Sequence, residues 1–95
     1  MPLFVFIAHD GPQGIERRQL NRSRHVAYLE ELHRDGKLVY GGPIRDESDR
    51  SIGAVLVLDA ADLAAARAII DKDPYFQSGV FERSELSRFA RAFPR

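Results

Sequence analysis

The chain has 95 residues, with fourteen Lys and Arg against fourteen Asp and Glu, no Cys and no Trp; 44% is hydrophobic and 29% charged. That length suits a single domain, residues 1–95. The zero formal net charge argues against the clustered basic surface that nucleic-acid binding requires, and the absence of cysteine excludes disulfides, thiolate nucleophiles and Cys-ligated zinc.

Residues 2–8 are rich in β-branched and aromatic side chains and run into His9-Asp10-Gly11-Pro12, which predicts a strand closed by a turn. This run is far below the roughly 20 apolar residues of a membrane span and has no basic segment before it. Neither a spanning helix nor a signal peptide is expected, and a cytoplasmic location fits the cysteine-free composition. From residue 15 to 35 the pattern turns helical, with Gly36 placed to cap the end. Asn21 and Ser23 are N-cap types inside that run, which leaves open a short turn followed by a main helix from about Asn21. Residues 37–43 read as a second strand closed by Gly41-Gly42-Pro43, residues 45–50 as a solvated loop, and residues 51–59 as the clearest strand. Asp59 is the expected N-cap of a helix over residues 60–72, with Asp62 near N3. Asp73-Pro74 begins a short connection, a last strand is expected from residue 79 to about 86, and an arginine-rich tail, residues 88–95, follows a core of about residues 2–87.

The order β-α-β-β-α-β predicts an α+β, ferredoxin-like subunit with a four-stranded antiparallel sheet. Two helices cover only one face of such a sheet. Yet Leu3, Val5 and Ile7 alternate with Phe4, Phe6 and Ala8, and Val55 and Val57 alternate with Ile52, Ala54, Leu56 and Leu58. Both faces are therefore apolar, and a sheet with one wet face should alternate apolar with polar. The expected cover for the second face is another copy of the chain, in a homodimer with sheets packed face to face.

Candidate chemistry begins on the first helix. Val26, Leu29 and Leu32 define its apolar stripe, and Arg22 and His25 fall on the same face. Polar groups on such a stripe are costly to bury unless paired. Either a pocket or polar network receives them, or the stripe runs off the sheet edge into solvent. Asp73 before Pro74 reads, taken alone, first as a helix cap and only second as a carboxylate available to a site, with Asp71 as a neighbouring alternative. His9, His25 and His33 lack the spacing of a metal pair, and no phosphate loop or cofactor motif is present. His9-Asp10 reads first as a solvated turn, with a place at the border of a cleft as the alternative, and His33 as a packed or edge histidine.

His25-Val26-Ala27-Tyr28-Leu29, Leu32, Gly36-Lys37-Leu38 and Gly41-Gly42-Pro43, followed by Asp73-Pro74-Tyr75-Phe76 and Gly79-Val80-Phe81, resemble the YciI-like, YCII-related family over nearly the whole chain. The resemblance implies a dimeric α/β barrel of ferredoxin-like subunits and a His-Asp pair in a cleft, here His25 and Asp73. Arg22 matches a basic position three before the histidine. Ser23-Arg24 departs from the pattern, since relatives often carry a proline there. The nearest enzymatic precedent that the resemblance implies is a dehydrochlorinase acting on a chlorinated hydroxyhydroquinone.

A histidine oriented by a carboxylate suits proton transfer near neutral pH. The expected function is thus cofactor-independent acid-base chemistry, an elimination, isomerisation or dehydrochlorination of a small cyclic metabolite. His25 and Asp73 would be catalytic, and Arg22, Tyr40 and Tyr75 would contact the substrate. The competing readings are a non-catalytic module that binds a small ligand in the same cleft and, less favoured, a haem-dependent oxygenase on a similar barrel.

Overall fold

The computed structural model describes residues 2–95. Strand β1 spans Leu3–Asp10, helix α1 Gly14–Arg34, β2 Leu38–Arg45, β3 Ser51–Asp59, helix α2 Leu63–Asp71, the one-turn helix α3 Pro74–Gln77, and β4 Phe81–Phe89. The strands pair antiparallel throughout in the order β2-β3-β1-β4, the ferredoxin-like arrangement.

Alternation along the two central strands decides which side becomes core. Phe4, Phe6 and Ala8 of β1 lie beside Leu58, Leu56 and Ala54 of β3, and all six are buried. Ala66 and Ile70 of α2 complete this cluster, with Leu29 of α1 and Phe76 of α3 packed against it. The opposite face carries Leu3, Val5, Ile7, Val55 and Val57, each only half-buried, with Tyr40 and Phe89 exposed along it. No helix among the described residues covers that face. None of the helices is long and apolar enough to cross a membrane.

Several local expectations change. Helix α1 is continuous from Gly14 to Arg34, without a break at Asn21 or Ser23. Asn21 is buried and sends its Nδ2 back to the Arg17 carbonyl at 2.8 Å, so its hydrogen bond is satisfied inside the helix. Asp35 ends the helix, and Gly36 follows at φ +73°, a conformation that favours glycine. Val26 is 37% exposed instead of sharing the buried stripe with Leu32.

The N-cap of α2 is Asp62, which accepts the Ala65 N–H at 2.8 Å, while Asp59 remains in β3 opposite Leu3 with its N–H bonded to the Lys37 carbonyl. The sheet ladder holds Asp59 extended and moves the helix start three residues on. Strand β2 continues past Pro43 to Arg45. Strand β4 begins at Phe81 and runs to Phe89, so Arg88 pairs with Phe4 instead of opening the tail.

Candidate functional site

His25 sits two turns above Arg18 on α1, and Arg22 lies between them at helical spacing, so all three point to one side. That side faces the turn between α2 and β4. Asp73 leaves α2 in extended backbone, caps α3 by accepting the Tyr75 N–H at 3.2 Å, and turns the same Oδ1 toward His25. His25 Nδ1 and Asp73 Oδ1 are 2.6 Å apart, although 48 residues separate them in sequence. Asp73 is buried, with 1% of its surface exposed, and its Oδ2 has no hydrogen-bond partner among the described residues. The His25 side chain keeps 13% exposure, enough to reach the cleft beside it. Asp71, the alternative carboxylate, is exposed and takes no part.

Tyr75 supplies the shelf under the histidine. Its ring stacks on the His25 ring with centroids 3.7 Å apart and planes within 4°. The contact removes a rotational freedom of the imidazole. The Arg18 guanidinium carbon lies 5.1 Å from the same Tyr75 ring and 5.9 Å from that of Phe81. Arg18 is itself fixed by a two-point pair with Asp10, Nε to Oδ2 at 2.7 Å and Nη2 to Oδ1 at 2.9 Å, and by the Gly53 carbonyl at 3.0 Å. Burial alone would lower the Arg18 pKa, but hydrogen bonding and charge attraction to Asp10 more than offset it, and the pKa is raised. The one-turn helix α3 therefore delivers the carboxylate and the stacking ring together, and α1 delivers the imidazole and two arginines.

These groups line a cleft of about 260 Å³ between α1, α3 and β2. Val26, Leu29, Leu38 and Leu56 make its apolar wall. Gly41 keeps the floor open: a Cβ there would meet Leu56 Cδ2 at 2.6 Å. Below the pair, Tyr28 donates to the Ile69 carbonyl at 2.7 Å and ties α1 to the end of α2. Burial, with the carboxylates of Asp73 and Glu31 nearby, pushes the Tyr28 hydroxyl above the usual phenol range. A larger groove of about 570 Å³ runs between α1 and α2, but it is lined largely by alanines and charged rims and holds no histidine. The smaller cleft is the candidate site, because a histidine, a buried carboxylate and an apolar wall coincide there.

Of the residues expected from the sequence, His25, Asp73, Arg22 and Tyr75 come together here. Tyr40 does not. It is 78% exposed, opposite Val57 on the uncovered face of the sheet. A bulge after Leu38 shifts the β2 register by one residue and puts Tyr40 on that face. His9 lies on the same face, opposite Gly53, and His33 is exposed in the last turn of α1. The sequence reading missed Arg18 and the role of Asp10 as its partner. Their signal was the Arg18–Arg22–His25 spacing along one helix face, whereas Asp10 beside Gly11-Pro12 resembled an ordinary turn former. Among the described residues no group of three or more His, Asp or Glu is arranged to hold a metal ion.

Comparison with known proteins agrees with this architecture. Protein YciI of Escherichia coli is 33% identical, covering 96% of this chain and 99% of that protein. A Haemophilus influenzae protein is 29% identical over 95% of this chain and 98% of its own length. Among solved structures, the 5-chloro-2-hydroxyhydroquinone dehydrochlorinase of Burkholderia phenoliruptrix, in complex with 2,5-dihydroxybenzoquinone, superposes with a TM-score of 0.82 at 27% identity, covering 94% of each chain. A NIPSNAP family protein from Agrobacterium tumefaciens, at 18% identity and a TM-score of 0.55 over 97% of this chain and 94% of its own, shares the fold alone. Residues 2–90 match the family model of the YCII-related domain, and with the full-length likeness to YciI this chain belongs to that family.

Proposed function

We propose that the cleft binds a small cyclic compound and that His25 and Asp73 perform acid-base chemistry on it without a cofactor: an elimination, an isomerisation or a dehydrochlorination. The observation that carries this reading is the 2.6 Å contact of His25 Nδ1 with Asp73 Oδ1 at the wall of an apolar cleft. With Nδ1–H held by the carboxylate, the neutral ring presents Nε2 as the base. Nε2 takes a proton from the substrate, Asp73 stabilises the imidazolium, and the proton is then returned to a leaving group or to another ring position. In a dehydrochlorination the proton leaves the substrate and chloride departs with the C–Cl electron pair. Arg22 holds an oxyanion of the substrate, and Tyr75 lines the pocket beside the ring. The likeness to a dehydrochlorinase supports the reaction class. We further infer that the chain works as a homodimer whose two sheets meet on the uncovered apolar face.

The test reads chloride release from 5-chloro-2-hydroxyhydroquinone and solvent deuterium uptake into a panel of hydroxylated ring compounds. His25→Asn and Asp73→Asn should each lower kcat/KM by about 100-fold or more while the circular dichroism spectrum is kept. Equal rates in native and variant proteins would remove the pair from the mechanism. A native protein that binds these compounds but returns every one unchanged would make the cleft a ligand-binding module instead.

A further inference from the structure

We propose that the cleft continues outward into a second subsite that takes a carboxylate carried on the ring compound. This rests on the reading of the inner cleft given above and names the substrate class it serves: a small ring with a carboxylate arm.

Two cavities adjoin. The inner one, about 260 Å³, holds His25 and Asp73. The outer one, about 360 Å³, reaches from Ile15 and Gln19 on α1 to Arg50 and Ser51 at the β2–β3 turn. Arg18, Arg22, Ser51 and Tyr75 line both, so a single ligand can occupy the two at once. The outer cavity is lined by three arginines and no carboxylate.

The arginines differ in what they have left to give. Arg18 spends Nε and Nη2 on Asp10 and the Gly53 carbonyl, so only its Nη1 is free for a ligand. Arg50 bonds Asp46 Oδ2 through Nε at 3.1 Å, and its two terminal nitrogens make no hydrogen bond among the described residues. Asp46 is well suited to that task. The backbone N–H groups of Arg50 and Ser48, with the Arg50 charge, hold its carboxyl below the usual range. Arg22 has neither a hydrogen bond nor an ion pair among the described residues, yet it stands where the two cavities meet.

The free guanidinium of Arg22 and the unused terminal nitrogens of Arg50, lining one cavity, match a planar carboxylate in geometry and charge. Beside His25 in the inner cleft, which Arg45 also lines, the buried Asp73 would repel a second carboxylate, and Val26, Leu29, Leu38 and Leu56 offer it no donor. The ligand is thereby oriented: proton-bearing ring toward His25, carboxylate toward Arg22 and Arg50.

The experiment compares 4-hydroxyphenylacetate with 4-methylphenol, which share the phenol ring and differ in the carboxylate. Affinities come from calorimetry at low salt, and the His25 ring signals report the inner cleft by NMR. The carboxylate compound should bind at least about 10-fold tighter, as charged hydrogen bonds of this kind allow. That advantage should vanish in the Arg22→Ala, Arg50→Ala double variant and persist in Arg91→Ala, a control for net charge on the exposed tail. Equal affinity for the two compounds, including binding of neither, overturns the proposal, as does an advantage that survives the double substitution. Shifts of the His25 signals by 4-methylphenol keep the inner-cleft reading separate: it stands if they appear while the carboxylate advantage fails. A carboxylate advantage without any His25 shift supports the outer subsite and counts against the inner reading.

Discussion

His25 owes its orientation to two contacts that one short turn supplies, the Asp73 carboxylate at its edge and the Tyr75 ring against its face. Asp73 Oδ1 serves the imidazole and the α3 N-terminus at the same time, so the position of the carboxylate is over-determined by its role as a cap. Tautomer is the property that should respond most directly. In the native protein the neutral ring should carry its proton on Nδ1, seen as a single tautomer in long-range nitrogen–proton correlation spectra. Asp73→Asn offers either an amide oxygen or an amide NH₂ in place of a full negative charge, and the spectrum should shift toward Nε2–H. An unchanged tautomer in the variant would show that the carboxylate does not orient the ring. Sequence spacing put His25 and Arg22 on a common face, but whether that face met a pocket or solvent depended on a residue 48 positions away.

Among the elements, the start of α2 shows how a sheet overrides a local signal. Both Asp59 and Asp62 are acceptable N-caps by type, and Asp59 follows directly on the last apolar strand residue. The β3–β1 ladder extends to Asp59, so the first residue free to take the cap is Asp62. Asp59 instead leaves Oδ1 buried without a hydrogen-bond partner among the described residues. Asp62→Ala should therefore cost about 1 kcal/mol of stability. For a domain of this size that corresponds to roughly 4–8 °C in Tm. Asp59→Ala should be neutral or stabilising, because it removes a buried oxygen that lacks a partner. A thermal melt in which the two variants rank the other way would return the cap to Asp59. The remaining boundaries differ for a related reason: β2 and β4 are lengthened by partners already in place, which a reading confined to neighbouring residues does not see.

At the scale of the whole molecule the uncovered sheet face dominates. A monomer of 10.7 kDa would expose about 5,500 Å² by the usual scaling, whereas this chain exposes 6338 Å². The excess of roughly 800 Å² matches one partner's share of a standard protein interface, although the exposed residues 90–95 contribute part of it. Val5 and Val57 pair at the centre of the bare face, between Tyr40 on one side and Ser87 on the other. A face-to-face dimer would bury this apolar strip, and a charge at its middle would oppose that. Light scattering should give twice the chain mass for the native protein, and Val57→Asp should give the monomer with its helical circular dichroism intact. A native protein that runs as a monomer at micromolar concentration would end the dimer proposal.

The strand alternation, the long helical period and the Asp-Pro turn were determined by the sequence alone, because each depends on side chains within a few residues of one another. The order of elements and the ferredoxin-like topology follow from those local patterns with few alternatives. Periodicity and spacing left open which polar groups meet; the family resemblance implied His25 with Asp73, and the tertiary structure brings the two together. Arg18 with Asp10 and the Gly53 carbonyl, and the exclusion of Tyr40 from the cleft, only the tertiary structure decided, because they depend on the register of strands and the angle of helices. A bulge of one residue moves a side chain to the other face of a sheet, and no pattern in the chain announces where that bulge falls.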